Sequence, residues 1–282
     1  MKSKLKILLR FLFFLKEIKI GLSRGALGAS IRNSTPLKPV TWEFSAFSQN
    51  GEDGILDFLT TEILKPNKYF IEIGTSNGLA NNTAYLAFVK KFCGIMVEGN
   101  KLHSKLSSVI FNIFNKGVTP LNYFVTKDNI QELLKESITL APDVFSLDID
   151  GNDFYLVESI LKNGMKPKIF VVEYNANFGP DKCLTIPYTP NFNYATAHTT
   201  RLYFGVSIAA WRKLFQTYDY EFLTVETNGI NAFFILKSAF PENFTTGMEK
   251  IYFLDNKIEL QLFKLPWEKR FEFISKMPIV EI

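Results

Sequence analysis

The apolar run Tyr69-Phe70-Ile71-Glu72-Ile73 closes on Gly74, and Gly78 follows after three small polar residues, Thr75-Ser76-Asn77. A second apolar run, Cys93 to Val97, closes on Glu98. Two more end in acids: one at Asp148 and Asp150, the other at Glu173, with Asn175 just beyond. Glycines at a strand-to-helix turn let the backbone approach a ligand closely, and nucleotide-like cofactors are held by such turns. An acid about 25 residues later, here Glu98, sits where open α/β sheets place a carboxylate for ribose hydroxyls. A lone acid at a strand end is usually a turn former or helix cap. Acids at four strand ends along one edge point instead to a site.

These residues need a scaffold that brings strand ends together, and the rest of the pattern supplies one. Helical spacing predicts helices over 51–64, 81–91, 101–114, 129–136, 154–163 and 207–217. Strands are expected at 68–74, 93–98, 118–125, 143–149 and 168–174. A hairpin of 220–226 and 232–237 is expected around Asn228-Gly229. The fold class is therefore α/β: a Rossmann-like, doubly wound, mostly parallel seven-stranded sheet with an antiparallel strand from the terminal hairpin. Ligands bind such sheets beyond the carboxyl ends of the strands. Residues 175–206 read as a long loop over that edge, and His198 within it is a candidate lid or base histidine.

The organisation expected is a basic amino-terminal arm and linker over 1–42, a main domain over 43–240, and an extension over 241–282 packed on it. Net charge is +4, but residues 1–24 hold Lys2, Lys4, Lys6, Arg10, Lys16, Lys19 and Arg24 against Glu17 alone. The body is therefore near neutral, and charge gives no ground for a nucleic-acid partner. The apolar stretch 7–15 is too short to span a bilayer and is split by Arg10. Lys2, Lys6 and Arg10 recur every four residues, which suits either a helix on an anionic membrane surface or one packed on the body. Residues 22–42 read as the linker. Cys93 and Cys183 lack metal spacing and form no disulfide framework, which favours a reducing, cytoplasmic setting, with the inner membrane face as a peripheral option. Cys93 is expected to be a buried small hydrophobe.

Over about residues 45–237 the chain resembles the class I S-adenosylmethionine-dependent methyltransferases, and more narrowly their FkbM-like group. The residues that carry the resemblance are Ser48-Gln49-Asn50-Gly51-Glu52-Asp53, the Glu72–Gly78 turn, Val97-Glu98, Ser146 to Asp153, Val172 to Asn175, and Asn228 to Phe234. One departure is that Thr75-Ser76-Asn77 stands where the usual turn has a further glycine. The resemblance implies S-adenosylmethionine as cofactor, contacted by Gln49, Glu72, Gly74, Ser76, Gly78, Glu98 and Asp148. The Glu72–Gly78 loop would wrap its methionine part, and Gln49 and Glu52 would lie on a covering helix. It also implies a small-molecule or glycan acceptor, most plausibly a sugar hydroxyl.

The run Asp150-Gly151, Asp153 and Tyr155 to Ser159 is similar to a segment of the macrocin O-methyltransferases, which implies a divalent ion such as Mg²⁺ held by Asp150 and Glu173. Without metal, either acid can act as general base if burial raises its pKa, with Asn175 orienting the substrate. Asp153 can also be read as the cap of the following helix. Two rival readings stand beside the enzyme: a scaffold that kept the fold without turnover, and a dinucleotide enzyme. The second lacks the phosphate-cradling Gly-x-Gly-x-x-Gly turn.

Overall fold

The computed structural model describes the backbone of residues 2–282 and the side chains of residues 12, 15–31 and 34–282. Nine strands and ten α-helices follow one another among these residues. The strands are β1 Tyr69–Ile73, β2 Cys93–Glu98, β3 Val118–Asn122, β4 Val144–Leu147, β5 Ile169–Glu173, β6 Leu184–Thr185, β7 Tyr220–Val225, β8 Asn231–Leu236 and β9 Val280–Glu281. The helices are α1 Lys2–Asn33, α2 Glu52–Glu62, α3 Ala84–Phe88, α4 Lys101–Phe114, α5 Ile130–Lys135, α6 Asp153–Lys162, α7 Tyr194–Ala197, α8 Ile208–Gln216, α9 Lys257–Phe263 and α10 Trp267–Ile274.

Seven strands form one sheet in the order β3-β2-β1-β4-β5-β8-β7. The first five are parallel, β8 runs antiparallel to β5, and β7 antiparallel to β8. The expected Rossmann-like sheet with its antiparallel hairpin strand is thus present. Its strands read as continuous apolar runs because both faces are covered. Alternation decides the face: Ile71, Ile73 and Val97 pack against α5, α6 and α8, whereas Phe70 and Met96 pack against α2, α3 and Phe111 of α4. Phe145 and Phe170 belong to the first cluster, Val144 and Val171 to the second.

Two expectations change. Residues 22–33 continue α1 as helix and are no linker; a Cβ added at Gly21, Gly25 or Gly28 would meet open space. From Lys16 onward α1 lies on the body, with Ile20 and Leu27 packed on the second cluster and the Lys19 ammonium donating to the Leu79 carbonyl at 3.0 Å. The placement of Lys2, Lys6 and Arg10 on one face lies outside the described residues. No described helix is long and apolar enough to cross a membrane.

Cys93 is exposed, because it opens β2 at the rim of the sheet. Residues 241–282 pack on the domain, with Met248, Ile251, Phe253 and Leu254 against the sheet's two core clusters. They also cover the loops beyond the sheet: β9 pairs with β6, and α10 packs on the 3-10 turn Ala176–Phe178 that follows β5. The loop 175–206 accordingly carries that turn, β6 and α7.

Candidate active site

The turn after β1 is fixed by the chain beside it. Gly74 has φ +90°, and a Cβ there would lie 1.7 Å from the Asp148 carbonyl oxygen. The β1 and β4 exits therefore touch, and only glycine permits it. Gly78, φ +74°, faces Ser107 and Phe111 of α4, where a Cβ would sit 2.7 and 2.9 Å from their nearest atoms. Its role is to seat the turn on α4. Ser76 is exposed, with φ +49°.

Beyond β1, β2 and β4 opens a cleft of about 360 Å³. One wall is Gly74, Ser76, Glu98 and Asn100; the other is Asp148, Asp150 and Asn152, with Tyr123, Phe124 and Phe192 contributing rings. The Glu98 carboxylate accepts from the Asn100 N–H at 2.6 Å, and Asn100 caps α4 by accepting from Leu102 and His103. The β2 exit is thereby held rigid with its acid in the cleft.

Asp148, Asp150 and Glu173 converge, their carboxylate oxygens lying within 4.8 Å of one another. The run that follows β4 is tightly turned. Asp150 has φ +54°, and Asp153 closes the turn by accepting from the Ile149 and Gly151 N–H groups at 3.0 and 2.8 Å. Asp153 is thus spent on the turn at the first position of α6. Burial pushes its carboxyl up to about 6 against these two bonds.

Burial, and then the charges of Asp150 and Asp153, hold the Asp148 carboxyl well above the ordinary carboxylate range. Burial followed by Asp148 and Asp150 does the same for Glu173, and burial raises Asp150. The Glu173 side chain partly offsets the rise at Asp148. Like-charged carboxylates at this spacing cannot all ionise unless a cation joins them.

A strap crosses the acid side. Asn152 donates to the Thr189 carbonyl at 2.7 Å and accepts from its N–H at 3.2 Å. A Cβ on Gly151 would lie 2.6 Å from the Phe192 ring, so strap and turn are in contact. Asn152, Phe124 and Phe192 were not expected from sequence. Asn152 stood inside the Asp148–Asp153 run, but its partner is 37 residues away.

Besides Gly78, which faces α4, four expected site residues lie elsewhere. Glu72 is buried and takes hydrogen bonds from the N–H groups of Asn82 and Thr83 at 2.9 and 3.0 Å, and from the Asn81 amide and Thr83 hydroxyl. It organises the turn into α3, the capping role open to it from the start. Asn175 is buried with its amide donating to the Leu202 and Phe204 carbonyls at 2.8 Å and its oxygen accepting from Asn177. It orders the loop and has no bonds left for a substrate. Gln49 is exposed in the loop before α2, not on a helix, and its one described bond is to the Ala80 carbonyl. His198 pairs with the Thr200 hydroxyl at 2.8 Å beyond α7 and is not among the residues lining the cleft.

Glu52 opens α2 and is buried, accepting from the Asn50 N–H and from the Asn231 amide at 2.7 Å each. With the Glu43 bonds to Thr227 it latches the pre-strand loop to the terminal hairpin.

No protein-family model matches this chain, and no curated protein does. Solved structures that resemble it include the O-methyltransferase from Bacillus cereus in complex with SAH, 14% identical over 77% of this chain and 89% of that one, TM-score 0.41. The O-methyltransferase TomG from Streptomyces achromogenes, involved in tomaymycin synthesis and solved with SAM, is 14% identical over 70% and 82%, TM-score 0.41. The methyltransferase domain of bacterial CtHen1-C is 15% identical over 66% and 96%, TM-score 0.42. At such identities and scores nothing about the site or its chemistry transfers to this chain.

Proposed function

We propose that this chain is an S-adenosylmethionine-dependent methyltransferase acting on oxygen, with a sugar hydroxyl of a glycan or glycan precursor as acceptor. The observation that carries the reading is one cleft shared by two kinds of wall. Gly74, Ser76 and Glu98 lie on one side, and Asp148 and Asp150 on the other. Its volume falls in the range of small-ligand sites, roughly 300–1,000 Å³.

The residues fit the cofactor. Glu98 offers a carboxylate for ribose hydroxyls, Gly74 and Ser76 line the turn beside it, and bound S-adenosylmethionine would supply an electrophilic methyl group. Asp150 lines the cleft and accepts the acceptor hydroxyl's proton as the oxygen attacks; a raised pKa makes its carboxylate a stronger base. Asn152 and the strap position the acceptor, while the rings of Phe124 and Phe192 offer apolar faces to a sugar. The glycan class itself rests on the resemblance to the FkbM-like group.

The acid trio also fits a divalent cation. Its three carboxylates supply hard oxygens suited to Mg²⁺ or Mn²⁺, and a cation would relieve their repulsion. With a cation present, Asp148, Asp150 and Glu173 would hold it in place of Asp150 acting as free base, and it would supply Lewis-acid polarisation of substrate oxygens.

Calorimetric titration with S-adenosylmethionine, with and without Mg²⁺, tests the reading. Micromolar binding is expected for the parent, at least tenfold weaker in Glu98→Ala. A folded sample that gives no heat and no thermal shift would end the proposal.

A further inference from the structure

Helix α4 is buried on one side and apolar on the other. Ser104, Ser107 and Phe111 face the body and are buried. Leu102, Leu106, Val109 and Ile113, spaced four, three and four residues apart, form a stripe on the other side, with exposures of 66%, 43%, 48% and 48%. Such a continuous stripe is unusual on a face left to water. A second set of exposed apolar residues stands on α1: Leu12, Leu15, Ile18 and Leu22. The two helices meet where the Lys16 ammonium lies 3.7 Å from the Phe114 ring, the last residue of α4.

Charge selects the occupant. Besides the buried Lys16, α1 and α4 carry Lys2, Lys4, Lys6, Arg10, Lys19, Arg24, Arg32, Lys101 and Lys105, against Glu17 alone. Lys101, Lys105 and Arg24 are exposed, as is Lys116 just past the end of α4. Two copies meeting through this face would set lysine against lysine. An anionic lipid surface offers both an apolar layer for the stripe and counter-charge for the lysines, at about 1 kcal/mol per basic residue near the surface.

We infer that the outer face of α4, with the exposed side of α1, is a docking surface for an anionic membrane. This is independent of the methyltransferase reading. It also differs from attachment by the amino-terminal arm alone, because the helix that seats the β1 turn takes part.

The test is co-sedimentation of the full chain with phosphatidylcholine vesicles and with mixed phosphatidylcholine–phosphatidylglycerol vesicles. The parent should bind the mixed vesicles, release in high salt and ignore the neutral ones. The double variant Leu106→Glu/Val109→Glu, changed only at exposed positions, should bind at least tenfold more weakly, about 1.4 kcal/mol. Ile138→Glu, an exposed apolar residue outside both helices, should bind like the parent. Equal binding by the double variant and the parent overturns the inference. So does a parent that ignores vesicles and is a dimer by light scattering, with the double variant monomeric: the stripe would then be a self-interface.

Discussion

Asp150 is the one acid of the trio that both lines the cleft and sits in a left-handed backbone conformation, φ +54°. The Asp153 side chain closes that turn from behind. Asparagine tolerates the same conformation, so Asp150→Asn removes the base while keeping the turn. The variant should bind S-adenosylmethionine within about twofold of the parent and transfer methyl at least 10²-fold more slowly, a loss in the usual range for a general base. Calorimetry and a turnover assay on the same sample separate the two effects. The trio also sets a pH dependence. Asp150 must be ionised to take a proton, and burial raises its pKa. The acid limb of the rate profile should therefore lie above the ordinary carboxylate value of roughly 4, with activity rising as pH rises through it. A limb at or below that value would remove Asp150 as the base.

Among the elements, the roof over β5 depends on a buried cation. Arg270 of α10 is fully buried; it donates to the Asn177 side chain and the Leu265 carbonyl at 2.7 Å each, and it pairs with Asp255 and with Glu259, the latter at 3.3 Å. Arg270→Met keeps the volume but leaves both acids without their cation. Breaking a buried pair in this way costs about 3–5 kcal/mol, so the denaturant midpoint should fall sharply; an unchanged midpoint would show that the clasp contributes little. The sequence did not disclose this clasp, because its partners lie up to 93 residues apart and have no periodic signature. What periodicity could disclose was the sheet. Apolar runs such as Ile169–Glu173 and the Asn228-Gly229 turn place β1–β5, β7 and β8 within a few residues of their observed bounds. Strand ends also located the acids Glu98, Asp148, Asp150 and Glu173 correctly. Glu72, Asn175 and Gln49 fall outside the cleft's lining, and residue type alone shows that a polar group needs partners, not whether a ligand or the chain provides them. Glu72 and Asn175 find theirs in nearby backbone.

At the scale of the whole molecule, buried charges on the α2 face set opposing pH trends. Burial pushes Glu43, Asp53 and Glu226 up to about 7. The folded state then binds more protons than the unfolded one between the unfolded value, roughly 4, and 7, so these acids cost stability as pH rises through that window. Lys16 is shifted the other way. Burial, then the charges of Lys91 and Lys19, lower its pKa from 10.5 to about 6, although the Phe88 and Phe114 rings at 3.6 and 3.7 Å favour the cation. The unfolded state binds the extra proton here, so stability rises with pH from about 6 to 10.5. Lys16→Met should therefore raise the melting temperature, most at about pH 6 and progressively less towards pH 10. A gain that does not vary with pH would show that Lys16 is charged in the folded protein.

The pairing of β6 with β9 also sets an order of events during synthesis. The seven-stranded sheet has all its strands once Leu236 has left the ribosome, yet β6 waits for Val280 and Glu281. At ~5–20 residues per second that delay is roughly 2–9 s. Throughout it Phe178, Leu184 and Tyr203, which share a cluster with Ile274 in the finished protein, lack the cover of α10. A nascent chain stalled before α10 should therefore present a completed sheet with a protease-sensitive rim over 176–206.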